Sequence, residues 1–150
     1  MAIQYRTITL SSNVDAHATG DVVAAPEEIV NFARVLGGAA MLDTVVLVDE
    51  DDNSAALDLV FLNASGSIGT ESATFTMTDA VALTHLGTVN VLAADYDDNV
   101  DNKTATVTNL GLIMGCAPTT TSVWMGIVAR DSIDLAAVDD ITVKLGIIWD

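Results

Sequence analysis

Between Met41 and Asn63 the chain reads MLDTVVLVDEDDNSAALDLVFLN, two apolar runs on either side of an acidic connector. Residues 42–48 and 56–62 are rich in Val and Leu and bounded by Asp, Asn and Ser, which predicts two antiparallel strands joined by a loop over residues 49–55. Successive strand side chains point to opposite sides, so each run sorts into faces. In the first, Leu42, Val46 and Val48 fall on one face and Val45 and Leu47 on the other. In the second, Leu57, Leu59 and Phe61 share a face, with Val60 and Leu62 opposite and Asp58 interrupting them. A sheet with one wet face alternates more cleanly than this. Both faces therefore need cover, one from the core and the other from a second layer or a neighbouring subunit. Val45, Leu47, Val60 and Leu62 are the positions where internal packing and assembly would meet.

The same patterning predicts strands over residues 3–10, 21–25, 73–77, 88–94, 103–114, 122–130 and 141–149. Val123, Met125 and Ile127 oppose Trp124 and Val128; Val89, Val91 and Ala93 share a face, as do Phe75 and Met77. The last run alternates Ile141, Val143, Leu145, Ile147 and Trp149 against Thr142, Lys144 and Gly146. Residues 29–36 fit helix or strand and are assigned to strand, closed by Gly37-Gly38, while Pro26-Glu27-Glu28 suits a first helical turn. Thr78 as N-cap and Asp79 behind it predict a two-turn helix over residues 80–86, stopped by Gly87, with His85 near the negative end of its dipole. The connections are the turn-rich residues 11–20, the small-residue excursion 64–72, the acidic residues 95–102, a turn through Pro118, and residues 131–140 with Ile133, Leu135 and Val138. Eight to ten strands and no strand–helix alternation indicate an all-β, antiparallel, jelly-roll-like β-sandwich with one short helix. No internal repeat or linker divides the chain, which reads as a single β-sandwich domain over residues 1–150.

Charge adds a constraint that patterning does not. The chain carries 21 acidic residues against 5 Lys and Arg, a formal net charge of −16. Nucleic-acid binding rests on cations that neutralise phosphates, and anionic membranes need them too, so neither is an expected partner. Excess charge keeps an apolar-rich protein dispersed; a cation-rich setting, bound divalent ions or a basic partner would also suit it. No apolar run is long enough to cross a bilayer, and the opening MAIQYRTITL lacks the basic and apolar regions of a secretory signal.

Candidate chemistry is sparse. The single Cys116 lies in an apolar segment and reads as a small buried hydrophobe, with His17 and His85 remote from it in sequence. Phosphate-binding, nucleophile-elbow and zinc-helix motifs are absent, and with so many acids no carboxylate pair stands out as catalytic. The best constellation is Asp95, Asp97, Asp98, Asn99 and Asp101, which resembles the start of a calcium loop. Position six is Val100 rather than Gly, and position twelve is Thr106 rather than Glu, so a solvated acidic loop is the reading adopted; the run from Asp49 to Asn53 fits less well still. No catalytic, cofactor-binding or metal-binding residue is assigned, and the chain is not expected to be an enzyme. A ligand-binding alternative, such as a carbohydrate-binding module, would use Trp124 or Tyr96 as a stacking platform.

The Gly-Gly boundary followed by Leu42-Asp-Thr-Val-Val-Leu-Val-Asp49, a polar connector and Leu57-Asp-Leu-Val-Phe61 resembles a group of small tailed-bacteriophage head proteins, the capsid decoration or cement proteins. The likeness extends to Ala18-Thr-Gly-Asp-Val-Val23, to Ala73-Thr-Phe75 with its short helix, and to the ending Trp149-Asp150, and so spans most of the chain. It implies a jelly-roll-like sandwich that trimerises on the outside of an icosahedral virion and bridges major capsid protein subunits, made in the host cytoplasm. The helix-compatible residues 29–36 depart from that pattern. The family brings no catalytic residues.

Overall fold

A computed structural model describes residues 2–9 and 15–149. Leu10, residues 11–14 of the predicted turn-rich segment, and Asp150 lie outside the described residues. The strands are β1 (Ala2–Thr9), β2 (Ala16–His17), β3 (Val22–Ile29), β4 (Ala39–Asp49), β5 (Leu57–Leu62), β6 (His85–Val91), β7 (Tyr96–Asp98), β8 (Lys103–Val107), β9 (Leu112–Gly115), β10 (Val123–Ala129), β11 (Ile133–Asp134) and β12 (Ile141–Trp149). One α-helix, α1 (Asp79–Ala82), and a 3-10 turn, Ala93–Asp95, complete the order. A six-stranded sheet runs β1-β12-β4-β8-β7, with β9 continuing beside β4; a four-stranded sheet runs β3-β10-β5-β6; β11 and β2 form a small ribbon. The strands pair antiparallel, as the patterning predicts, and the chain is an all-β sandwich.

The core lies between the two larger sheets. Leu42, Val45 and Leu47 of β4 and Val143, Leu145 and Ile147 of β12 meet Leu57, Leu59 and Phe61 of β5 and Val123, Met125 and Ile127 of β10. The predicted faces of β5, β10 and β12 are those observed. On β4 one residue, Leu42, changes face. Gly146 pairs with Thr44 but Ile147 pairs with Leu42, which leaves Asp43 as an extra residue. This bulge shifts the alternation by one, so Leu42 joins Val45 and Leu47 inside, away from Val46 and Val48.

The predicted hairpin of residues 42–62 does not form: β4 and β5 belong to different sheets. Their connector crosses the edge of the sandwich, gathered by the buried carboxylate of Asp49. That carboxylate accepts the backbone N–H groups of Asp51 at 3.1 Å, Asn53 at 2.9 Å and Ser54 at 3.0 Å. Asp52 and Ser54 take φ of 63° and 56°, and the chain leaves the plane of the first sheet there. Placing the two runs in separate sheets gives each its own cover on the second face.

For β5 that cover is residues 64–84. Val60 and Leu62 pack with Val22, Ile68 and Val128 in a second cluster, flanked by Phe75, Met77, Val81 and Trp124. The small-residue excursion is thus no free surface loop: Ile68 is fully buried. Gly126 makes room for it, because a Cβ there would lie 2.6 Å from Ile68 Cδ1. Residues 73–77 form only an isolated bridge at Thr74 rather than a strand, since their role is to cap a sheet face. Phe75 and Met77 nonetheless share a side, as their spacing predicts.

Other differences follow from local chemistry. Residues 26–28 continue β3 instead of opening a helix; β3 is an edge strand, where Pro26 needs no ladder donor and sits in a bulge opposite Gly126. Residues 29–36 do not form a strand beyond Ile29: Asn31 turns the chain at φ 54°, and Phe32 and Ala33 drop into the core. Trp149 Nε1 donates to Phe32 O at 2.7 Å, and the guanidinium groups of Arg6 and Arg34 lie 5.7 and 5.4 Å from the Trp149 ring centroid. Thr78 caps α1 as predicted, accepting from Val81 N, but the helix stops after Ala82 because His85 pairs with Leu62 to begin β6. Ala93 leaves strand for the 3-10 turn. The predicted long strand 103–114 breaks into β8 and β9, where Asn109 and Gly111 take φ of 59° and 60° and Leu110 N donates to Asp43 O across the β4 bulge. Among the described residues no helix is long and apolar enough to cross a membrane.

Candidate interaction surface

The outer face of the six-stranded sheet carries cross-strand rows that can be followed through the register. Ile3 faces Ile148, Ile148 faces Met41, and Met41 faces Ile113, one apolar row over β1, β12, β4 and β9. Its ends are open to solvent, Ile3 at 59% and Ile113 at 71% exposure. Beside it, Tyr5 lies over Gly146, where a Cβ would meet Tyr5 Cε1 at 3.3 Å and Thr44 Cβ at 3.1 Å. The next rows are Thr7–Lys144–Val46–Thr106 and Thr9–Thr142–Val48–Thr104. The second of these continues from Thr104 to Asp97 of β7, so the formal charges in the two rows are Lys144 and, at the sheet edge, Asp97. Asp43 flanks the rows in the β4 bulge, its Oδ2 accepting from the Thr44 hydroxyl at 3.1 Å.

The acids are gathered elsewhere. The connections 49–56, 95–102 and 131–140 hold more than half of the 21 acidic residues. They meet at one end of the sandwich: Glu50 N donates to Asp140 O at 2.9 Å and Ala136 N to Asp51 Oδ2 at 2.9 Å. Lys103 bridges Asp52 at 3.2 Å and Asp98 at 3.0 Å. Asp98 is held below the usual carboxylate range by the Val100 N–H and then by Lys103, and Lys103 is raised by Asp98 and Asp52. Asp49 is pushed up by burial, against the lowering effect of its three backbone donors.

The calcium-like stretch is a hairpin rather than a ring of ligands. Asp95 Oδ2 accepts from Leu92 N at 2.8 Å, Asp98 turns to Lys103, and Asn99 Nδ2 donates to Asn102 Oδ1 at 3.1 Å and Thr104 Oγ1 at 3.0 Å. Val100, at the calcium-loop glycine position, takes φ of 82°. Among the described residues no three His, Cys, Asp or Glu side chains come together as a metal-holding group.

Tyr96 is half-buried, its hydroxyl donating to Ala55 O at 3.0 Å, so it locks the acidic connector instead of offering an open ring. Burial first, and then the charges of Asp49 and Asp95, push its phenol well above the ordinary tyrosine range. A pKa raised in the folded state means that the neutral form is the one folding favours. The stability it contributes is complete below pH about 10 and falls as pH rises from there towards the folded value. Tyr96→Phe should lose about 1 kcal/mol at pH 7 from the unpaired Ala55 carbonyl, and its stability should fall less steeply than wild type above pH 10 in urea titrations.

Trp124 packs against the second cluster and Trp149 against the core, so neither is an open platform. Cys116 is buried in the core and burial raises its thiol pKa. His85 shares a 3.0 Å hydrogen bond with Thr88 Oγ1 in β6. His17, expected in a polar turn, is buried opposite Ile133, and neither ring nitrogen has a hydrogen-bond partner among the described residues. The structure does not bring Cys116, His17 and the carboxylates together as reactive groups.

Val45, Leu47, Val60 and Leu62 are all buried within the chain and are no contact surface for a partner. The exposed row was signalled by doubled apolar positions, Ile147-Ile148 and Leu112-Ile113-Met114. Only register shows that they line up.

No protein-family model and no curated protein matches the chain.

Proposed function

We propose that this chain is a homo-oligomeric structural virion protein, a jelly-roll-like decoration or cement protein made in the host cytoplasm. It binds the outside of an icosahedral phage head and bridges major capsid protein subunits. The outer face of the six-stranded sheet makes that contact. One observation carries the reading: a chain of net charge −16 keeps carboxylates out of the row Ile3–Ile148–Met41–Ile113. A contiguous apolar patch with charge displaced to its margin is the pattern of a protein-binding face. The acidic end, turned from the shell, keeps the decorated particle dispersed. Trp124 and Tyr96 are engaged within the fold, which takes away the platforms of the carbohydrate-binding alternative.

Capsids assembled with and without the protein should differ in the temperature or osmotic shock at which they rupture; equal thresholds would remove the cementing role. Ile113→Glu places a charge in the row at a 71%-exposed position. It should weaken capsid binding at least about tenfold, from lost apolar burial and a desolvated carboxylate. Its melting temperature should remain that of wild type. Unchanged occupancy on capsids would move the contact to another face.

A further inference from the structure

We propose that β1 pairs antiparallel, edge to edge, with β1 of a second copy, across a two-fold axis at Tyr5. A free strand edge is a row of unpaired backbone groups that another chain can complete, and proteins blunt such edges with proline, charged side chains, bulges or shortness. Here the other edges are blunted. β3 carries Pro26, Glu27 and Glu28 with two register shifts; β6 carries Gly87 and a shift; β7 and β9 are three and four residues long. β1 is eight residues, AIQYRTIT, with no proline, glycine or acid. Its one charge, Arg6, is turned to Asn31 O and the Trp149 ring of its own chain, so two chains of charge −16 meet through a strand that carries no acid.

The axis at Tyr5 follows from a donor left over. Arg6 Nη2 donates to Asn31 O at 3.3 Å, yet Arg6 Nε is buried with no partner among the described residues. It stands beside a cleft of about 280 Å³ between residues 6–9 of the β1 edge and residues 28–30. Centring the pair on Tyr5 sets Gln4 of the second copy directly across from Arg6, where its side-chain carbonyl accepts from the guanidinium once that group turns into the cleft. The same register keeps the two Arg6 side chains from facing each other. Outside, it sets Tyr5 against Tyr5, an aromatic cross-strand pair, and Ile3 against Thr7 of the second copy, and it joins the two capsid-facing sheets side by side.

This deepens the assembly part of the proposed function and rests on it. The particle has two chains, where the family resemblance implies three, which makes its mass decisive. Light scattering at micromolar concentration should give twice the 15.6 kDa chain mass; one or three chain masses would overturn the pairing. In a Cys116→Ala background, Tyr5→Cys places two thiols on directly opposed residues about 5 Å apart at Cα, within disulfide reach. Mild oxidation should cross-link it at least tenfold faster than Leu83→Cys, an 88%-exposed control on the helix side. Equal rates would overturn the edge pairing. Gln4→Leu should raise the dissociation constant at least about a hundredfold, as two charge-assisted hydrogen bonds are lost per particle; an unchanged constant would overturn the register. A monomer that still strengthens capsids would sink this pairing alone, whereas two-chain particles that ignore capsids would sink the decoration reading alone.

Discussion

Val60→Asp is expected to cost at least about 4 kcal/mol, enough to remove most of the stability of a domain this size. Val60 is 3% exposed and sealed beneath residues 64–84 by Ile68 and Leu62. The substitution gives up about 1.5 kcal/mol of apolar burial and adds several more for a carboxylate without water or cation. Because the cover comes from the same chain, the loss should be independent of protein concentration. Urea unfolding followed by Trp124 fluorescence, which reports on the same cluster, measures it. A wild-type midpoint would mean that residues 64–84 do not seal this face; a deficit seen only at low concentration would put a subunit there instead.

Arg130→Ala is the second large effect, about 2–3 kcal/mol. Asp58 is buried on the outer side of β5 and is held by Arg130 Nε and Nη2, with Asn90 Nδ2 donating at 2.6 Å. Removing the guanidinium leaves a buried carboxylate with one neutral partner, and a broken buried pair costs more than an absent one. Arg130 is itself 47% exposed, which keeps the figure below that of a fully buried pair. Asp58→Leu combined with Arg130→Met should recover most of the loss. If the double variant falls as far as the sum of the single ones, the pair is not coupled.

These two sites show where the fold was legible and where it was not. Alternation alone placed the core faces of β10, β12 and β5, because each is a period-two pattern complete within its own strand. Asp58 reads as a flaw in such a pattern until Arg130, 72 residues away, is seen beside it. The partner of β4 was beyond local reading for a related reason. A hairpin and a crossover have the same two apolar runs and the same polar connector; what decides between them is whether residues 64–84 can cover the second face of β5. The Asp43 bulge likewise depends on pairing with β12 and with Leu110, neither near in sequence. The interaction surface was half visible. Doubly apolar strands announced a need for cover, but the positions singled out turned out to be internal, and the exposed row exists only once Ile3, Ile148, Met41 and Ile113 are brought into register.

The place of β12 bears on how the protein is made. It lies between β1 and β4, so the strands synthesised first and fourth cannot join until Ile141–Trp149 has left the ribosome. While the residues between β1 and β12 are being made, β1 has no partner in its sheet, and the sheet that exposes the apolar row is missing its middle. Closure over so long a stretch of chain is slow. Nascent β1 must therefore stay unpaired in the company of other nascent β1 strands on a polysome, and the order of events, intramolecular insertion of β12 before any encounter between copies, separates productive maturation from aggregation.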